Sequence, residues 1–70
     1  MNITLVVYGQ SGTYQGESVY PAMRGITIED FFKKNKIEES FYEVRVHGIR
    51  PTNLYRFYND TVVRLTDVTS

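Results

Sequence analysis

The sequence predicts an α+β fold in which one short helix packs on one face of a mixed sheet of four to five strands. Three observations lead there. Gly25 to Ile37 is the one stretch with helix start and stop signals. The chain carries six Tyr and four Phe but a single alanine, Ala22, and this wealth of aromatic and β-branched residues favours strands elsewhere. Apolar residues alternate with period two around Ile3, Val44 and Val63, as half-buried strands require.

Taken in order, Asn2 to Tyr8 places Ile3, Leu5 and Val7 on one face and Thr4, Val6 and Tyr8 on the other. Gly9 to Gly12 is a turn cluster, so Thr13 to Tyr20 returns as the second arm of a hairpin. Gly16 marks a bulge or bend in that arm, and Pro21, which cannot donate to a ladder, puts it at a sheet edge. Thr27 with Asp30 three residues later approaches a capping box, and Ile26 with Phe31 fits a hydrophobic staple. Glu29 and Asp30 suit the positive end of the helix dipole; Lys33, Lys34 and Lys36 suit the negative end, with Asn35 as the left-handed terminator. Glu38 to Ser40 reads as a loop. Phe41 to His47 is a strand with Tyr42, Val44 and Val46 on one face and Phe41, Glu43, Arg45 and His47 on the other. Gly48 breaks it, Ile49 to Asn53 turns, and Leu54 to Tyr58 is a short strand or an irregular crossing. Thr61 to Val68 is the last strand, with Val63 and Leu65 opposed to Val62, Arg64 and Thr66 and its register open by one residue. The expected core is Ile3, Leu5, Val7, Ile28, Phe31, Phe32, Ile37, Val44, Val46, Leu54, Val63 and Leu65.

A chain of 70 residues is expected to form a single domain spanning 1–70, near the size at which an apolar core alone suffices. Without cysteine it has no disulfide, thiolate metal site or thiol nucleophile, and one histidine, His47, does not make an imidazole cluster. Eight basic and eight acidic residues balance to a net charge of zero, which argues against a polyanion binder held by bulk charge. No apolar run is as long as a membrane span and MNITLVVYG lacks a signal-peptide pattern, so a cytosolic, membrane-free setting is expected.

The second half of the chain carries a resemblance. A strand ending Val46-His47-Gly48, a loop through Leu54, and then Asn59-Asp60-Thr61-Val62-Val63-Arg64-Leu65 resemble the β-grasp fold of ubiquitin and of the sulfur carrier proteins of thiamin and molybdopterin synthesis. Those carriers often run V-x-x-N-G and then G-D-x-V at these places, and Thr27-Ile28-Glu29-Asp30-Phe31-Phe32 resembles the T-x-x-x-L-L opening of their helix. The resemblance implies a β-grasp sheet with its first and last strands side by side and the third beside the last. The families end in a flexible Gly-Gly tail that is activated and conjugated. This chain ends Asp67-Val68-Thr69-Ser70, so a module without a conjugating tail is expected. Asn59 also stands where the family usually has glycine.

On that fold the helix covers one sheet face, and the other carries Thr4, Val6, Tyr8, Val62, Arg64, Thr66, Glu43, Arg45 and His47. Val6, Tyr8, Arg45, His47, Val62 and Arg64 are the candidate protein-binding residues, because tyrosine and arginine around an apolar centre are favoured contact anchors. The partner is another protein; the edge strand Thr13 to Tyr20 is a second possible surface, open to a partner strand or to a homodimer. The alternatives are a diverged sulfur carrier or activating-enzyme-associated protein, and a small nucleic-acid binder using Arg45, Arg50, Arg56 and Arg64 with Phe41, Tyr42, Tyr55, Phe57 and Tyr58. Glu38, Glu39 and Glu43 have no partners at a spacing that acid–base chemistry or a metal needs, and Gly9-Gln10-Ser11-Gly12 opens no helix that would cradle phosphate. No catalytic set, cofactor site or metal site is therefore expected, and His47 is at most a pH-sensitive contact.

Overall fold

The structure is a computed structural model describing residues 1–69. Its two strands of cleanest alternation sit at the centre of a four-stranded mixed sheet. Strand β1 (Asn2–Tyr8) pairs antiparallel with β2 (Tyr14–Pro21) on one side and parallel with the last strand, Thr61–Asp67, on the other. Strand β3 (Tyr42–Val46) lies antiparallel outside that last strand, β4, so the order is β2-β1-β4-β3. Leu5 lies level with Val63, and Val44 with Leu65, which turns one apolar side chain per strand to the same face. The open register of β4 is thereby settled with Val63 and Leu65 inward.

The hairpin turn closes by Gly9 N–H to Thr13 O and Gly12 N–H to Gly9 O, 2.7 and 2.9 Å. The bulge lies where Gly16 suggested: Val7 pairs with Gly16 but Tyr8 with Tyr14, leaving Gln15 as the extra residue. Gly16, at φ 139°, takes the backbone angle that a side chain resists.

Helix α1 (Ile28–Lys34) crosses the sheet with Ile28, Phe31 and Phe32 buried. A helix of seven residues is not stable alone in water, and its ends show how the fold completes it. Asp30 N–H donates to the Thr27 hydroxyl at 3.2 Å, and Phe31 N–H to the Thr27 carbonyl at 2.9 Å. Ile28 and Glu29 N–H donate to the carbonyls of Tyr55 and Asn53, so the first three helical residues, which have no acceptor within the helix, all find one outside it or at the cap. Only the hydroxyl half of the capping box forms. The Asp30 carboxylate, one methylene shorter than the usual glutamate, stays exposed. At the other end Ile37 N–H reaches Phe32 O and Lys36 N–H reaches Lys33 O, a Schellman closure. The left-handed residue is Lys36, at φ 57°, and not Asn35, whose φ is −96°. Asn35 instead uses its side-chain amide to cap Phe31 O at 2.9 Å.

A fifth strand is not present among the described residues. Leu54 to Tyr58 is the irregular crossing, with one isolated bridge, Arg56 to Thr27. Its carbonyl and amide groups pair with the entry to α1: Phe57 N–H to Ile26 O at 3.0 Å, Gly25 N–H to Phe57 O at 2.6 Å. That pairing drives Phe57 into the core at 1% exposure and leaves Leu54 outside at 74%, the reverse of the expected core assignment. Phe57 packs edge-on to Phe31, with ring centroids 5.8 Å apart, and Tyr20 meets Phe31 from β2 at 5.9 Å. Val7 and Ile37 pack at the core's margin and are not buried within it.

Strand β3 is shorter than Phe41 to His47. Phe41 ends a 3-10 turn, Glu39–Phe41, and His47 leaves the ladder altogether. Val46 and Ile49 exchange both backbone hydrogen bonds, 2.8 and 3.0 Å, around His47 (φ 53°) and Gly48 (φ 75°). Two central residues with positive φ make this the tight turn that Asn-Gly usually forms, and histidine is among the residues that tolerate it. No helix of the described residues is long and apolar enough to cross a membrane.

Candidate protein-contact face

The sheet face opposite α1 has no covering layer among the described residues. Because side chains alternate, the pairing fixes its layout in rows across the strands. One row runs Val19, Thr4, Val62; the next runs Glu17, Val6, Arg64, Arg45; the third runs Tyr14, Tyr8, Thr66, Glu43. Five of the six candidate residues, Val6, Tyr8, Arg45, Val62 and Arg64, therefore share this face. His47 does not continue it, since the turn takes it off the strand. It lines the rim of a shallow depression with Arg45, Asp60, Thr61, Val62 and Arg64.

Tyr14, Glu17 and Val19 join the face without having been picked out from the sequence. The interruption at Gly16 conceals their period: the bulge puts Tyr14, two residues before Gly16, level with Tyr8, and Glu17 level with Val6. Exposed Val19 and Val62, at 59% and 55%, flank Thr4 on the two neighbouring strands. The aromatic end is held by the Tyr8 and Tyr14 rings, edge to face at 6.1 Å.

Arg64 stands at the centre. Its guanidinium lies 5.2 Å from the Tyr8 ring centroid, and its Nη2 is 3.4 Å from the Tyr8 hydroxyl. Such stacking contributes about 0.5–1 kcal/mol at an exposed site. Arg45 lies directly opposite Arg64, a like-charge pair that sheet geometry disfavours. Arg45 is relieved by Glu43, with Nη2 and Nε at 2.8 and 2.9 Å from one carboxylate oxygen. Arg64 has no carboxylate partner among the described residues. The Tyr14 hydroxyl donates to Glu17 at 3.1 Å, and that bond first, then desolvation and the Glu17 charge, raise its pKa. At the foot of β4 the Asp67 carboxylate accepts from the Thr69 hydroxyl (2.6 Å) and N–H (2.8 Å), which lower its pKa.

The remaining candidates separate in space. Arg56 reaches Gly25 O on the helix side at 2.7 Å, while Arg50 lines a groove with Glu38, Glu39, Tyr42 and Pro51 at the outer edge of β3. The four arginines thus make no single basic track. Glu38 accepts from Ser40 and Glu43 is held by Arg45, and no group of three potential metal ligands occurs among the described residues. Gly9 to Gly12 is the hairpin turn, with no helix following it. Asp60, from the N-D-T-V run, accepts the Asn2 N–H at 2.8 Å and so ties the start of β1 to the start of β4. No protein-family model and no curated protein matches the chain.

Proposed function

We propose that this chain is a ubiquitin-like β-grasp module that works without catalysis, binding another protein non-covalently through its bare sheet face. The β-grasp reading is supported by the strand order, by the parallel pairing of β1 with β4 at the centre, and by one helix crossing between β2 and β3. The contact reading rests chiefly on one observation: an uncovered face where Val6, Val19, Val62, Tyr8 and Tyr14 surround an arginine stacked on tyrosine. Tyrosine and arginine are among the side chains enriched in binding hot spots.

The edge of β2 is the lesser surface. Its bulge at Gln15 and its terminal Pro21 blunt the row of free backbone groups that a partner strand or a second copy needs.

Val19→Asp with Val62→Asp tests the face. Both positions are exposed, so the circular dichroism spectrum and cooperative melt are expected to persist. Capture of a defined protein from the source cell's lysate, present with the wild-type domain and stable at high salt, is expected to disappear. Undiminished capture by the folded double variant overturns the face as the interface.

A further inference from the structure

We infer that Arg64, with Arg45 beside it, forms a recognition site for a single carboxylate side chain on an extended segment of the protein partner. Val6 and Val62 border that site with small apolar side chains. The inference rests on the proposed role of the bare face and names the chemistry of what binds there.

Two features single out Arg64. It is packed against Tyr8, which orders the guanidinium, and among the described residues it has no carboxylate such as Arg45 has in Glu43. An ordered, planar guanidinium loses less freedom on binding and can meet a carboxylate with two parallel hydrogen bonds. Arg45 sits directly across the ladder from it, a like-charge pair that Glu43 offsets on the Arg45 side alone. The shallow depression bounded by Arg45, His47, Thr61, Val62 and Arg64 gives such a group a seat. Asp60 also lines this depression, and one of its two carboxylate oxygens, Oδ1, accepts the Asn2 N–H at 2.8 Å.

The surroundings select one acidic group over a polyanion. Glu17 ends the Arg64 row on one side, two strands away, and Glu43 lies on the other side in the adjacent row. Strands stand roughly 4.8 Å apart, so Glu17 and Glu43 put carboxylates within about two strand spacings of Arg64, which disfavours a polyanion with a phosphate at every nucleotide. An isolated aspartate or glutamate brings a single negative charge to Arg64, with the Glu43 carboxylate held on Arg45 beside it. Val6 flanks Arg64 across the ladder and Val62 lies two residues along β4, so small apolar side chains border the guanidinium in two directions.

The test is an NMR titration of the isotope-labelled full chain with a blocked pentapeptide TVDVT, its asparagine counterpart TVNVT, and a twelve-nucleotide oligothymidylate. TVDVT is expected to shift the side-chain Nε–H signals of Arg64 and Arg45 and the amides of Val6 and Val62. R64Q, and separately the change to TVNVT, are each expected to weaken binding by about fivefold or more, the scale of a lost charge-assisted hydrogen bond. If TVDVT and TVNVT bind this face equally and R64Q changes nothing, the carboxylate site is overturned while the face remains the interface. Shifts confined to the β2 edge or the β3 groove overturn both readings. Binding of oligothymidylate alone, falling steeply with salt, also overturns both. Silence of the arginine side chains toward TVDVT up to its solubility limit overturns the carboxylate site and leaves the face to the capture experiment.

Discussion

Phe57 and Leu54 are three residues apart in one irregular segment, and their fates differ because backbone pairing decides which side chain points inward. Phe57 N–H and C=O both bond to the entry of α1, at Ile26 and Gly25, which aims the ring at Phe31. Phe57→Ala is expected to remove about 3–5 kcal/mol, enough to unfold much of a population this small in core, whereas Leu54→Ala stays within about 0.5 kcal/mol. Urea unfolding followed by circular dichroism reads both. Thr27→Ala leaves the Asp30 N–H without its acceptor and is expected to cost about 1 kcal/mol, most of it restored by Thr27→Ser. Asp67 supplies a titration at the same scale. Its native pKa lies below the unfolded one, so its contribution is complete above the unfolded value and is lost as pH falls through the native value. Thr69→Ala removes one of the two donors, and the Asp67 side-chain resonance is expected to titrate closer to an ordinary aspartate.

The turn after β3 is where an element-level reading from sequence came closest and still moved a site residue. Val46-His47-Gly48 marks the end of a strand, and the expected break at Gly48 is where the chain reverses. That the reversal takes His47 as well follows from the turn, which needs positive φ at two successive residues. Gly48→Ala, forced to keep φ near 75°, is expected to cost about 1–2 kcal/mol, while His47→Asn matches or exceeds the wild-type melting temperature. Thermal melts of the two variants side by side check this. If Gly48→Ala melts with the wild type, the turn geometry is wrong. The helix ends were legible for similar local reasons: the Thr27 cap and the Lys-rich last turn lie within a few residues of what they bond. Asn35 and Lys36 exchanged roles because either can terminate a helix, and the choice follows from Ile37, which must come back to pack on the core.

At the scale of the whole molecule, the two ends of the chain form the centre of the sheet. Asn2 N–H meets Asp60 across 58 positions of sequence, and all of β1 from Ile3 to Tyr8 lies against β4 from Thr61 to Thr66. Hydrogen exchange under native conditions is expected to show the β1 and β4 amides protected to the level of global unfolding. The free edge of β2 and residues 49–54 exchange through smaller openings. Fast exchange in β1 with slow exchange in β2 would contradict this arrangement.

The sequence by itself determined the α+β class, the start of the helix and the inward faces of β1 and β3, and it grouped on one sheet face five of the six candidate residues, while the register of β4 was left to the tertiary structure. Those features depend on how Cβ atoms alternate along a strand or how a side chain reaches its own neighbouring backbone, and both are encoded within a few residues. Tertiary structure alone decided that the crossing buries Phe57, that His47 leaves the sheet, and that Tyr14, Glu17 and Val19 complete the bare face. It also decided that Arg64 rests on Tyr8 beside Arg45 with no carboxylate partner among the described residues. Each of these turns on a partner far away in the chain: the carbonyls that satisfy α1, the strand that sets a bulge's register, the neighbour across a ladder. Local periodicity carries no record of such partners.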